Sequence, residues 1–158
     1  MITPQEMAGL FAINTQMIKS QTDGLTHADS VLQPPIQGNC LNWVLGHILD
    51  TRNGIVQQLG QPALISEAQA KRYGYGSEPV CADGDDILKL EQILALLEQS
   101  QQMIDAALAN ITQEELDRQV QTYMGPKPLK FYLNLYYRHE TYHLGQTEIL
   151  RELALASK

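Results

Sequence analysis

Residues 136–151, YYRHETYHLGQTEILR, decide how the rest of the chain is read. His139 and His143 stand four residues apart, a little more than one helical turn, so their imidazoles lie one above the other on a single face. That spacing offers two nitrogens to one metal ion. The face runs on through Gln146 and Leu150 and back through Tyr136 and Tyr132, so it is mostly apolar and points toward a core. An inward imidazole needs a partner for its polar nitrogens.

Outside this stretch, composition sets the bounds. A length of 158 residues with 44% hydrophobic side chains fits a single domain over 1–158 with a real core. The formal net charge of -7 and the lack of clustered Lys and Arg argue against a nucleic-acid partner and against an anionic membrane surface. No run of about eighteen apolar residues appears, and Met1 to Ser20 lacks the basic start and apolar centre of a signal peptide. The expectation is a soluble, cytoplasmic protein. Cys40 and Cys81 are far apart without CxxC spacing, so both are expected as reduced thiols.

Four long segments of helical period are separated by breaker-rich connections. The first helix starts at Thr3, with Pro4 at the first helical position and Glu6 completing a capping box, and ends at Asp23-Gly24. Its stripe is Met7, Leu10, Phe11, Asn14, Met17 and Ile18. Pro34-Pro35 mark an extended connection. The second helix runs from about Asn39 to Leu59-Gly60 and carries Cys40, Trp43, Val44, His47, Ile48, Thr51 and Ile55 on one side. A long stretch from Gln61 to Asp85 follows, with a short helix at Ser66 to Arg72, and a connection of that length is usually functional or mobile.

The third helix is capped at Asp85 or Asp86 and presents Ile87, Leu90, Ile93, Leu94, Leu97, Met103, Ile104 and Leu108, with no metal-type side chain inward. Thr112 and Glu115 form a second capping box for a short helix ahead of the turn Gly125-Pro126-Lys127-Pro128. The last helix covers about Leu129 to Leu155. No strand-period run is visible. An all-α four-helix bundle follows.

Of the four histidines, His27 falls in a polar turn and is expected to be solvated, while His47, His139 and His143 lie on inward stripes. Three neutral imidazoles converging in a bundle core would hold Zn, Ni or Fe(II) and leave positions open, as catalytic sites do. Each histidine also has a bland reading as a hydrogen-bonded core residue. Spacing alone does not make the second and fourth helices neighbours.

The run His139 to His143 also reads as H-E-x-x-H. A metzincin would need Gly and His where Gln146 and Ile149 stand, and no sheet precedes the motif, so a zinc protease is set aside. Glu140 is a candidate base, an acceptor behind a ligand, or a surface acid. A di-iron site fails by counting, because there is no second Glu-x-x-His. Asp50 could orient an imidazole but reads more simply as an exposed helix acid. Cys40, two turns from His47, reads as a buried thiol, and Gln146 as a hydrogen-bonding group of the site or a contact between helices.

NWVLGHILDTRN around His47, the YGYGSEPV loop and HETYHLGQTEILRELA resemble the DinB/YfiT-like family of metalloenzymes over nearly the whole chain. The resemblance implies an up-up-down-down four-helix bundle with a long connection between helices two and three. It also implies a divalent metal on His47, His139 and His143, and a homodimer. It further implies chemistry on a small-molecule substrate, as in relatives that are S-transferases and isomerases using low-molecular-weight thiols; a metal-activated hydrolase is the companion expectation, from the water such an ion would activate. Tyr73 and Tyr75 on the long connection are expected at the mouth. The alternative is a bundle without catalysis, in which metal ties two helices together or a stress-response module binds a ligand.

Overall fold

In the computed structural model, which describes residues 2–157, Thr3 starts α1 (Pro4–Thr22) as a capping box: its hydroxyl accepts from the Glu6 amide and the Glu6 carboxylate accepts from the Thr3 amide. The helix stops at Asp23, and Gly24 turns the chain at φ 73°. The same chemistry starts the one-turn α2 (His27–Ser30) from Thr26 and Asp29, α4 (Glu67–Tyr73) from Ser66 and Gln69, and α6 (Gln113–Asp117) from Thr112 and Glu115. The long helices are α1, α3 (Leu41–Gln58), α5 (Leu90–Ala109) and α7 (Leu129–Ala156). They form the expected all-α bundle, in which α1 packs on α5 and α7, and α3 packs on the same two.

Helix directions can be read from the bonds between helices. Asn14 donates to Thr141, and farther along Arg151 donates to the carbonyls of Gln21 and Asp23, so α1 and α7 run the same way. Asn42 meets Leu88 and Arg52 meets Ser100, so α3 and α5 also run the same way. By contrast, Ala8 meets Gln101 while Lys19 meets Glu98, which sets α1 against α5. The order is therefore up-down-down-up, a correction to the up-up-down-down expectation. Its cause lies in the connections. Two consecutive parallel helices need a chain segment that travels back along the bundle, roughly 27 Å for a helix the length of α3. Residues 59–89 provide that crossover: Asn53 accepts from the Leu64 amide near its start, and Asn42 donates to the Leu88 carbonyl near its end.

Two element boundaries differ from expectation. Helix α5 begins at Leu90 and not at Asp85 or Asp86, because Asp86 is bonded to Arg72 at 2.8 Å and the Leu88 amide donates to the Tyr73 hydroxyl. That backbone is tied to α3 and α4 instead of to itself. A hairpin, β1 (Gln119–Thr122) and β2 (Gly125–Pro128), pairs Val120 with Lys127 where no strand was expected. Four residues per strand are too few to show alternation. In α1 the inward set is Met7, Ala8, Phe11, Asn14, Thr15, Ile18, Gln21 and Thr22, while Leu10 is half-buried and Met17 exposed. Among the described residues no helix is long and apolar enough to cross a membrane.

The core has two apolar clusters with a polar layer between them. One cluster includes Leu45, Ile48, Leu49, Ile93, Leu97 and Leu144; the other includes Phe11, Ile55, Val56, Ile104, Leu108 and Leu133. Between them Arg52 and Glu140, both fully buried, form a two-point ion pair: Nε to Oε2 at 2.8 Å and Nη2 to Oε1 at 2.6 Å. The rest of the guanidinium donates to the carbonyls of Phe11 and Leu97 and to Ser100 Oγ, so one side chain of α3 is bonded to α1, α5 and α7. Glu140 is thus neither the surface acid nor the base considered from the sequence. Both of its oxygens are held by Arg52.

Removing one partner leaves a buried charge without compensation, which costs about 3–5 kcal/mol. Glu140→Ala should lose stability on that scale in urea denaturation. The apolar pair Arg52→Met with Glu140→Leu should lose distinctly less, and equal losses for the single and double variants would contradict the account.

Candidate metal centre

His47 lies in the middle of α3, buried, with Nδ1 donating to the backbone carbonyl of Tyr73 at 2.8 Å. That contact requires α4 to sit very close to α3. Gly46 permits it: a Cβ there would fall 2.1 Å from Tyr73 Cδ1. The Tyr73 ring is held in the core by its hydroxyl, which donates to Asn42 Oδ1 at 3.0 Å and accepts from the Leu88 amide at 2.8 Å. Trp43 stacks on His47 with centroids 4.9 Å apart and planes 18° from parallel, while its Nε1 donates to Ser77 Oγ.

Helix α7 supplies the other two rings. His143 Nδ1 donates to Gln146 Oε1, three residues on, at 2.6 Å. His139 Nε2 lies 3.3 Å from His47 Nε2 and 3.1 Å from His143 Nε2, and the three ligand atoms all fall within 4.8 Å of one another. The two helices expected to meet do meet, and the three histidines form a cluster that could hold a metal ion.

The hydrogen bonds test whether a cation suits this arrangement. A carbonyl oxygen can only accept, so Nδ1 carries the proton in His47 and His143, and their Nε2 lone pairs both face His139 Nε2. One proton on His139 Nε2 can satisfy one of those lone pairs but not both, and His139 Nδ1 is buried with no partner among the described residues. Two nitrogens on one tetrahedral ion at 2.0–2.1 Å would stand about 3.3 Å apart. The two separations from His139 Nε2 match that figure and the third pair stays within 4.8 Å, so the donor set fits a shared divalent ion.

Electrostatics points the same way. Burial, then the nearby His143 and His47 rings, pushes the His139 imidazole down to about 4. Burial also lowers His143, partly opposed by its bond to Gln146. Both rings are therefore unprotonated donors at neutral pH. The centre opens into a cleft of about 550 Å³ between α3, α7 and residues 34–39.

The other residues singled out from the sequence are distributed as follows. Gln146 bonds to His143, and Tyr75, 97% exposed, lines the cleft. Tyr73 does not reach the mouth; its ring is fully buried because its hydroxyl is bonded inward. Asp50 is half-buried, with its carboxyl raised by burial, and the His47 nitrogen it could have oriented is taken by the Tyr73 carbonyl. Cys40 is a buried thiol donating to the Val80 carbonyl. His27 is only 16% exposed and lies 3.0 Å from Asp83 while accepting from the Leu90 amide, so it is not solvated. Sequence reasoning missed the supporting roles of Trp43 and Gly46 and that of the Tyr73 carbonyl. It also missed Arg52, whose signal was a charge placed between Ile48 and Ile55 on an apolar stripe.

A sequence model described as the DinB superfamily matches residues 11–147. No curated protein matches the chain by sequence. Among solved structures, a conserved protein from Enterococcus faecalis superposes with a TM-score of 0.74 at 14% identity, covering 99% of each chain. The mycothiol-dependent maleylpyruvate isomerase superposes with a TM-score of 0.65 at 17% identity, covering 91% of this chain and 62% of that one. These likenesses establish the fold.

Two outcomes follow from the packing and the protonation states. Gly46→Ala should displace Tyr73, cost ~1–3 kcal/mol or more through overpacking and weaken metal uptake; unchanged melting and uptake would contradict the close approach. In the metal-free protein the folded His139 value of about 4 lies below its unfolded value near 6.5, so the unfolded chain binds the extra proton. The stability due to neutral His139 should be complete above pH ~6.5 and fall away toward pH ~4. Urea titrations at several pH values, compared with His139→Gln, read this slope; an identical slope in the variant would refute it.

Proposed function

The chain belongs to the DinB superfamily, and from that premise we propose a metal-dependent enzyme acting on a small molecule, with His47, His139 and His143 as the ligands of one divalent ion, Zn, Ni or Fe. The observation that carries the reading is the convergence of the three Nε2 atoms, with Nδ1 of two rings fixed by the Tyr73 carbonyl and Gln146. Acceptors behind the ligands set tautomer and ring orientation, as is usual around bound metals. A divalent ion held there supplies Lewis-acid activation of a thiol, water or carbonyl at neutral pH.

The protein's own contribution is placement and shielding. Trp43 covers one face of His47, and Tyr142 lies edge-on to His143 with centroids 5.2 Å apart. Three protein ligands beside an open cleft favour a site that admits a reactant over a closed structural one. The name of the isomerase neighbour supports testing a low-molecular-weight thiol as co-substrate, with hydrolysis as the companion reaction class. Gln146 and Tyr75 are proposed to touch the bound thiol or substrate. A bundle that binds metal without turnover is the alternative reading.

The wider setting is proposed in the same spirit. Residues 1–158 act as one domain, since Arg52 is bonded to all three other long helices. Two unpaired cysteines support a reducing cytoplasm, and exposed Ile13 and Met17 on α1 support a homodimer. The formal charge of -7 speaks against nucleic acid as a partner.

Protein purified without a histidine tag should carry about one equivalent of divalent metal per chain, the stoichiometry of one three-ligand site. His143→Ala should lose that metal and any turnover while keeping its helical circular dichroism. Metal retained at wild-type affinity after this change, or no uptake by the parent protein, would sink the proposal.

A further inference from the structure

Where the ion would sit, the walls say what kind of molecule can join it. Among the described residues no Lys, Arg, Asp or Glu lines the cleft. Its polar side chains other than the histidines and tyrosines are the neutral amides Gln37, Asn39 and Gln146, and Gln146 is already committed to His143. The rim is apolar and open: Ile36 is 76% exposed, Tyr75 97%, Tyr142 68% and Ile149 71%. Four of the large exposed hydrophobic side chains therefore border one opening. Monomeric proteins seldom leave such a group uncovered unless something binds there.

Several basic side chains of the surrounding elements are held elsewhere. Arg52 is bonded to Glu140, Arg72 to Asp86 and the carbonyls of Glu78 and Pro79, and Arg151 to the carbonyls of Gln21 and Asp23. A ligand carboxylate or phosphate entering the cleft would shed water without gaining a partner from these walls. An apolar ring loses nothing by the same move and finds aromatic faces to lie on. A volume of about 550 Å³ suits a compact molecule.

We propose that the site selects an uncharged, ring-sized apolar molecule presenting a single donor atom, such as a thiol, toward the three histidines, and discriminates against anionic thiols and phosphorylated compounds. This rests on the metal-centre reading for the donor atom, while the preference for a neutral body rests on the cleft alone.

The test compares 4-methylbenzenethiol with 4-mercaptobenzoate, two thiols of nearly equal shape that differ by one charge. Binding is measured by calorimetry on cobalt-loaded and on metal-free protein. The methyl compound should bind at least tenfold more tightly in both forms. Ile149→Lys, a change at an exposed rim position, should reduce that ratio at least fivefold. Equal or tighter binding of the carboxylate, no binding of the methyl compound, or a ratio unaffected by Ile149→Lys would overturn the proposal. If the protein instead takes up no cobalt, by its visible absorption, the metal reading fails by itself, and the metal-free titration still decides the preference for a neutral ligand.

Discussion

The Arg52–Glu140 pair is the constraint on which the rest of the structure depends. A guanidinium and a carboxylate with no solvent exposure are tolerable only when their hydrogen-bonding capacity is met, and here the donors of Arg52 reach acceptors on all three other long helices. An apolar layer would tolerate sliding of one helix along another by small steps. A two-point ion pair does not, because a shift of one residue separates both contacts at once. His139 directly precedes Glu140, and His47 lies little more than one turn before Arg52. The register that satisfies the ion pair is therefore the register that brings the imidazoles together. The pair acts on the metal centre by positioning, without touching it.

The crossover from α3 to α5 does for the rear of the centre what the ion pair does for its register. Because α3 and α5 run in the same direction, the chain must climb the outside of α3, and it does so with α4 pressed against Gly46. The last residue of that short helix then has its carbonyl at hydrogen-bond distance from His47 Nδ1. Topology and chemistry are joined here. A helix order without this crossover would need another acceptor behind the ligand, and the Tyr73 hydroxyl, bonded to Asn42 and Leu88, is what keeps the carbonyl in place. A long segment that reads as a loop is thus partly a structural strut.

Much of this was legible in the sequence, and the reasons for the exceptions are physical. Capping boxes at Thr3 and Thr112, the amphipathic stripe of α5 and the i,i+4 histidine pair are local signals, and each gives its element, with only the start of α5 displaced, to Leu90. Helix direction is not local. Yet the single long connection between the second and third helices was itself the clue, since only it could carry the chain back along the bundle. Arg52 and Glu140 were each visible as a charge on an otherwise apolar stripe, and two such misfits of opposite sign on different helices call for pairing. The Tyr73 carbonyl left no trace, because a backbone group has no side-chain identity to read. Asp86 failed as a helix cap because Arg72 competes for it, a contact that exists only after folding.

The electrostatic character of the centre follows from these parts. Burial keeps His139 and His143 unprotonated near neutral pH, so neither ring must shed a proton before donating its lone pair. Around them lies a cleft that no charged side chain lines among the described residues, in a chain whose own net charge is -7. A cation entering that space meets converging lone pairs and, among the described lining residues, no competing ammonium or guanidinium group, and the overall field favours its approach. Once there, it would be a formal charge among uncharged described lining residues, so a ligand would be oriented by its donor atom at one end and by apolar contact along the rest. Binding strength and orientation are in this way divided between two parts of the site that can be altered separately: the histidines with their acceptors, and the exposed rim formed by Ile36, Tyr75, Tyr142 and Ile149.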